Sequence, residues 1–331
     1  MSADISVDAA TRHPAGQQPL DPRCARPQLR RWLRKLHKAF DIDDIRRERP
    51  DSAAVAHYYT VNEGAYRRYH SSEGAVHMAL NAEGRFDAAG FAGQLRRIEA
   101  AWAADAHPPA DVLELAFGQG YNLAYLLPRH PAVRFEGIDL TAAHVACARR
   151  RLAEWPADRL RLVQGDFHQL PQADASFDAA FCIESLCHAM DLPRALHEAA
   201  RVLRRGGRLM LFDGYLVRPP DDLDAEAALA VELVAKGMAI ERLQTVDELL
   251  AAAHGAGLQL LAMQALDREV LPNLERLERL TGAVVRWPWL GRLALARRPA
   301  ARSRNVLAGC LMRSTVSLGL ISYRQIDLQR R

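Results

Sequence analysis

The run Asp111-Val112-Leu113-Glu114-Leu115-Ala116-Phe117-Gly118-Gln119-Gly120 constrains this chain more than any other stretch. Val112 to Leu115 form a short apolar run with one acid inside it, and the Gly118–Gly120 spacing makes a turn. Residues 121–127 then read as the opening of a helix. Strand, glycine turn and helix, in that order, bring backbone N–H groups close to a nucleotide-like ligand.

The same alternation continues downstream. Residues 133–139 read as a second strand ending in Asp139, nineteen residues after Gly120, where a carboxylate can accept from both ribose hydroxyls of an adenosine. A helix over 142–153 leads to a third strand, 160–164, and then to Gly165-Asp166-Phe167. Asp166 can accept there from an adenine amino group, with Phe167 against the ring. Residues 177–183 and 207–212 read as a fourth and a fifth strand, separated by a helix over 194–203 that Arg204-Arg205-Gly206-Gly207 closes. Residues 258–263 fit a sixth strand and 317–326 a reversed seventh. The expected class is α/β. It is a Rossmann-like, seven-stranded, mostly parallel sheet with helices on both faces, plus an N-terminal helical lid and helical cap insertions.

The glycines choose between two ligands. Dinucleotide folds use G-x-G-x-x-G, whose last glycine permits close helix–strand packing. Counted from Ala116, this chain places Tyr121 at that last position. Glu114 stands just before the turn, where a methionine amino group and carboxylate can be organised. Glu114, Ala116, Gly118, Gly120, Asp139, Leu140, Asp166 and Phe167 therefore point to S-adenosyl-L-methionine. Ala116 is the awkward member. Its methyl group suits a turn with negative φ, and a positive φ there counts against the cofactor.

The block 111–213 resembles a class I S-adenosylmethionine-dependent methyltransferase, and within that superfamily it is similar to the sterol C-methyltransferase and tocopherol methyltransferase group. The residues that carry the likeness are Gly165-Asp166-Phe167, Ser176-Phe177-Asp178-Ala179 and Ile183-Glu184-Ser185-Leu186-Cys187-His188-Ala189. The last run resembles the Ile-Glu-Ala-Thr-Cys-His-Ala segment of sterol methyltransferases. Tyr58-Tyr59 and His77 correspond to the tyrosine-rich region before that group's core. Departures are Ala116 for the family's first turn glycine, Phe117 for its cysteine, and Asp213-Gly214-Tyr215 for its acidic-aromatic pair.

The resemblance implies a methyltransferase acting on a hydrophobic small molecule, with carbon methylation of an isoprenoid or lipid-like acceptor as the leading reading and a prenyl diphosphate as one form of it. Glu184 is expected to serve the catalytic site and the cofactor together. His188, Tyr59 and His77 are the other catalytic candidates, since imidazoles and acids beside a pocket can be tuned as bases. Two alternatives stay open: O- or N-methylation of a natural-product scaffold, and a cofactor-binding partner protein without catalysis. The segment after the fourth strand lacks the Asn/Asp-Pro-Pro-aromatic signature of nucleobase amino-methylation, and the chain has no Pro-Cys dipeptide, so DNA is not an expected partner.

Residues 1–27 lack periodicity and read as disordered, 28–105 as the helical lid, and 106–331 as the methyltransferase domain with caps at about 219–257 and 270–313. Leu29, Trp32, Leu33, Leu36 and Phe40 fall on one helical face opposite basic residues. That helix either packs on the domain or rests on an anionic membrane, and packing is the favoured reading. The tyrosines and histidines of 57–80 suit a pair of amphipathic helices forming a lid, and 85–104 reads as one helix. In the second cap, Arg286, Arg292, Arg297, Arg298, Arg302 and Arg304 are either a solvated face or a phosphate site.

The net charge of +4 on 331 residues falls short of a nucleic-acid-binding signature. The five cysteines show no zinc spacing and read as reduced thiols. No apolar run reaches the ~18 residues of a membrane span, and the N-terminus lacks a signal-peptide core. A cytoplasmic protein without a bound metal is expected, with its oligomeric state open.

Overall fold

The computed structural model describes residues 22–105, 107–289 and 300–331. Seven strands make one sheet: β1 (Asp111–Leu115), β2 (Arg134–Asp139), β3 (Leu160–Gln164), β4 (Phe177–Ile183), β5 (Leu203–Leu216), β6 (Leu258–Ala265) and β7 (Ile321–Arg330). Their order is β3-β2-β1-β4-β5-β7-β6, parallel except for β7, which runs antiparallel to both neighbours. The expected fold is therefore present. Leu115 lies opposite Ile138 and Cys182, and Asp139 opposite Gln164, so four parallel strands end along one edge. The order reverses between β1 and β4, and the crevice outside the carboxyl ends at such a point is where α/β sheets take ligands.

Every residue of β1 is buried, as a central strand covered on both faces requires. On one face α7 (Leu192–Val202) and α9 (Val246–Gly255) pack on the sheet. On the other lie α4 (Gly93–Ala104), α5 (Tyr121–Leu126) and α6 (Ala142–Arg151). That second face continues into a cap of α8 (Ala225–Gly237), α10 (Asp267–Val284) and α11 (Ala300–Ser317), onto which α1 (Pro22–Ala39) and α2 (Ile42–Arg47) pack. A β-carbon on Gly237 would stand 2.9 Å from the Ala308 nitrogen, so only glycine allows the α8–α11 approach.

Several expected boundaries move. Residues 22–27, assigned to the disordered tail, are the first turns of α1. The apolar side of α1 is consumed by the cap. Trp32 Nε1 donates to Glu278 at 2.6 Å and its ring fills the space over Gly282. Packing is thus where α1 spends its apolar face. The pair of helices expected over 57–80 is one helix, α3 (Ser52–Ala65), running into a wide turn over Tyr66–His70, and 71–80 is irregular. The helix expected over 85–104 is a 3₁₀ turn, Ala88–Ala92, followed by α4.

Residues 203–207 belong to β5 rather than to a helix stop, because Leu203 already pairs with Phe177. The seventh strand begins at Ile321, and Ser317 ends α11. Residues 246–255, placed in the first cap, cover the sheet as α9 instead. Arg292, Arg297 and Arg298, and the Arg302 side chain, lie outside the described residues. Arg304 is ion-paired with Glu48.

Candidate active site

The glycine turn after β1 is held by backbone and carboxylate together. Ala116 N donates to Ile138 O at 2.7 Å, and Gly118 N donates to Asp139 Oδ2 at 2.8 Å. Asp139 Oδ1 accepts from Thr141 N at 2.8 Å, so one buried carboxylate ties the β1–α5 turn to the β2–α6 turn. Gly118 and Gly120 have φ of +57° and +77°. Ala116 does too, at +59°, which is the outcome the sequence reading counted against the cofactor. The turn nevertheless forms, with the alanine strained by roughly 1–2 kcal/mol. Ala116→Gly relieves that strain while loosening the unfolded chain. We expect a gain of about 0.5–1 kcal/mol in denaturant unfolding at unchanged slope. A loss of stability would show that the methyl group packs usefully.

Two cavities lie along the ligand edge. The first is a slot walled by Ala116, Gly118, Asp139, Leu140, Asp166, Phe167 and Glu184, seven of the expected cofactor residues, and by Val55 from the lid helix. Asp166 Oδ1 accepts from His168 N at 2.9 Å and stands 2.5 Å from His168 Nδ1, fixing the carboxylate at the end of β3. Gly120 does not reach the slot. A β-carbon there would press on Ala148 at 3.0 Å, so its work is to let α5 and α6 pack.

Glu114 is not among the residues that line the slot. Its Oε1 accepts from Asn122 Nδ2 at 2.6 Å, its Oε2 is buried without a partner, and burial pushes its carboxyl up to about 8. His77 does not line either cavity. It is buried with its nitrogens facing Met78 O and Asn122 Oδ1, at 3.1 and 3.0 Å, and burial lowers its pKa.

The second cavity holds about 400 Å³ between the sheet edge, α3 and the cap. Val234, Met238, Val270, Leu274, Leu277, Val306 and Met312 make its far wall. Its near wall carries Tyr59, Tyr66, His70, Glu184, His188, Asp213 and Tyr323. Tyr59, Val76, Glu184 and His188 belong to both cavities and form the partition between them.

Glu184 follows β4 with φ of +50°, an unusual conformation for a side chain of this size. Its Oε1 accepts from Met78 N at 2.6 Å and from Tyr323 Oη at 2.8 Å. No hydrogen bond among the described residues reaches Oε2. Burial pushes the Glu184 carboxyl up to about 8, against the pull of those two donors, and Asp213 up to about 6. Tyr59 Oη lies 3.0 Å from His188 Nε2, joining the lid helix to the turn after β4, and burial holds His188 down to about 4.

Two residues of the site escaped the sequence reading. Tyr323 reaches Glu184 from β7, 139 positions away, and takes a hydrogen bond from Gln94 Nε2 at 3.0 Å. His144 lines the slot with Nδ1 3.4 Å from Asp139 Oδ1, Nε2 buried and unpartnered, and its ring 5.3 Å from that of Tyr59. The available signal for His144 was one imidazole in the first turn of an alanine-rich helix that follows the acid ending β2.

Residues 113–211 match the family model described as a methyltransferase domain. A methyltransferase of Streptomyces halstedii is 33% identical over 163 residues, which is 49% of this chain and 57% of that protein. A sterol 24-C-methyltransferase of Gibberella zeae is 31% identical over 163 residues, 46% of this chain and 40% of that one. The chain thus spans about half the length of these curated relatives. In fold it is similar to geranyl diphosphate C-methyltransferase from Streptomyces coelicolor, with a TM-score of 0.62 and 17% identity over 85% of this chain and 97% of that one. No described helix is long and apolar enough to cross a membrane. The segment matched to the methyltransferase-domain model is the one that builds most of β1 to β5 and both turns of the slot.

Proposed function

We propose that the chain transfers the methyl group of S-adenosyl-L-methionine to carbon in a neutral, hydrophobic small molecule of isoprenoid or lipid-like character. The observation that carries this reading is the shared partition. Tyr59, Val76, Glu184 and His188 separate the slot from an apolar cavity large enough for a small-molecule acceptor.

In the slot, Asp139 and His144 would hold the ribose, Asp166 and Phe167 the adenine, and the Ala116–Gly118 backbone the methionine end. The unpartnered His144 Nε2 and the carboxylates at the ends of β2 and β3 suit that set of donors and acceptors. The bound cofactor supplies an electrophilic methyl group, and the chain supplies position, the exclusion of water and a base. Tyr59 and Tyr66 line the cavity, where an aromatic ring can stabilise positive charge on the acceptor by about 0.5–2 kcal/mol. Glu184 Oε2 takes the proton that the methylated carbon must lose, with Oε1 held still by Met78 and Tyr323.

A neutral acceptor is favoured over a diphosphate because the described lining contains Glu184 and Asp213 and neither lysine nor arginine. Bringing like charges together costs several kcal/mol. Turnover by the purified protein with matched prenyl acceptors, alcohol or quinone against diphosphate, tests this directly. The neutral member is expected to lead by about a hundredfold or more. Preference for the diphosphate would sink the neutral-acceptor reading, and product methylated only on oxygen or nitrogen would sink carbon transfer. Calorimetric titration that finds no binding of the cofactor or its demethylated product would remove the whole proposal.

A further inference from the structure

We propose that the rim of the acceptor cavity is a docking surface for an anionic lipid bilayer. Tyr69 and Leu280 stand in the cavity wall at 48 and 40% exposure, and Trp287 and Trp289, at 60 and 69%, follow three and five positions after the wall residue Val284; together they are half of the large apolar side chains that are exposed among the described residues. Scattered singly, such residues need no explanation; gathered beside an apolar cavity, they do. Arg276 Nη2 donates to Tyr69 O at 2.6 Å, joining the end of the lid to α10, so the two exposed walls belong to one mouth.

Charge selects the partner. Three of these four apolar residues have a basic neighbour in space or in sequence. The Arg68 guanidinium lies 5.4 Å from the Tyr69 ring centre, Arg279 precedes Leu280, Arg286 precedes Trp287, and Lys35 Nζ stands 3.5 Å from Arg286 O. None of these four cations is in an ion pair among the described residues, whereas nearby Glu275 and Glu278 are engaged by Arg313. Indole and phenol rings flanked by basic residues are the composition that sits at a membrane–water boundary, rings at the headgroup level and cations on anionic lipid. A second copy of this chain would set the same cations against each other, which argues against self-association here. The surface differs from the face of α1, which the cap covers. Docked in this way, the mouth opens towards the bilayer, and an acceptor too apolar for water enters the cavity without crossing solvent.

Sedimentation of the full chain with vesicles tests the surface without turnover, so its outcome stays separable from that of the proposed reaction. The chain is expected to sediment with phosphatidylcholine–phosphatidylglycerol vesicles at low salt, poorly with phosphatidylcholine alone, and less as salt rises. The double variant Trp287→Ala/Trp289→Ala and the charge reversal Arg279→Glu/Arg286→Glu should each weaken binding by about tenfold or more. Cofactor titration and circular dichroism of both variants should match those of the parent. Absence of binding to mixed vesicles, or variants that bind like the parent, would overturn the proposal. So would sedimentation equilibrium showing a dimer that the tryptophan variant abolishes, because a second copy would then be the occupant.

Discussion

Glu184→Gln is expected to lower kcat by about 10²–10⁴-fold while the cofactor titrates with near-parent affinity. Glutamine keeps an oxygen that accepts from Met78 N and Tyr323 Oη, so the partition and the lid stay in place; what disappears is the group that takes a proton. The same residue fixes the pH dependence. Its carboxyl is pushed up to about 8 by burial, and only the ionised form is a base. The ratio kcat/KM should therefore rise about tenfold per pH unit below that value and level off above it, and the glutamine variant should lack this limb. Tyr323→Phe removes a donor to the carboxylate and moves the limb to higher pH, with turnover recovering as the base is ionised. A purely structural tyrosine would lower turnover equally at every pH. A glutamine variant within a few-fold of the parent would remove Glu184 from the catalytic role.

Asp139→Ala should destabilise the fold by about 2–5 kcal/mol, because it leaves the buried N–H groups of Gly118 and Thr141 unpaired. Cofactor affinity should fall by about a hundredfold or more, since the two turns that wall the slot lose their common anchor. Asparagine, which can still accept one of the two bonds, should fall between alanine and the parent. Denaturant midpoints with calorimetry on the three proteins decide the matter. An alanine variant as stable as the parent would show that the turns hold without the carboxylate.

Much of the slot proposed for the cofactor could be read in advance because its parts are local. A short apolar strand, a glycine turn and an acid at the next strand end are set by neighbouring residues and recur at fixed spacing. Glu184 and His188 were legible through the resemblance of the 183–189 run to a known segment. Glu114, Gly120 and His77 share those neighbourhoods, yet none of the three lines the slot. Sequence spacing says that a residue is near a turn, not which way its side chain faces. Ala116 shows the converse, since a methyl group in a left-handed position is tolerated once Ile138 O and Asp139 pin the backbone on either side.

The chain by itself determined the parallel sheet, its reversed seventh strand, the slot along its edge and the ligand class, all of which follow from periodicity, glycine and a few acids close in sequence. Tertiary structure alone decided the partition. Tyr59 meets His188 and Tyr323 meets Glu184 across separations of 129 and 139 residues, bonds that exist only after the lid and β7 have packed on the sheet. It also decided where β5 begins, through pairing with Phe177, and how the cap closes a cavity whose described walls hold two carboxylates and no lysine or arginine. Those outcomes depend on which faces come together, and no local pattern along the chain encodes them.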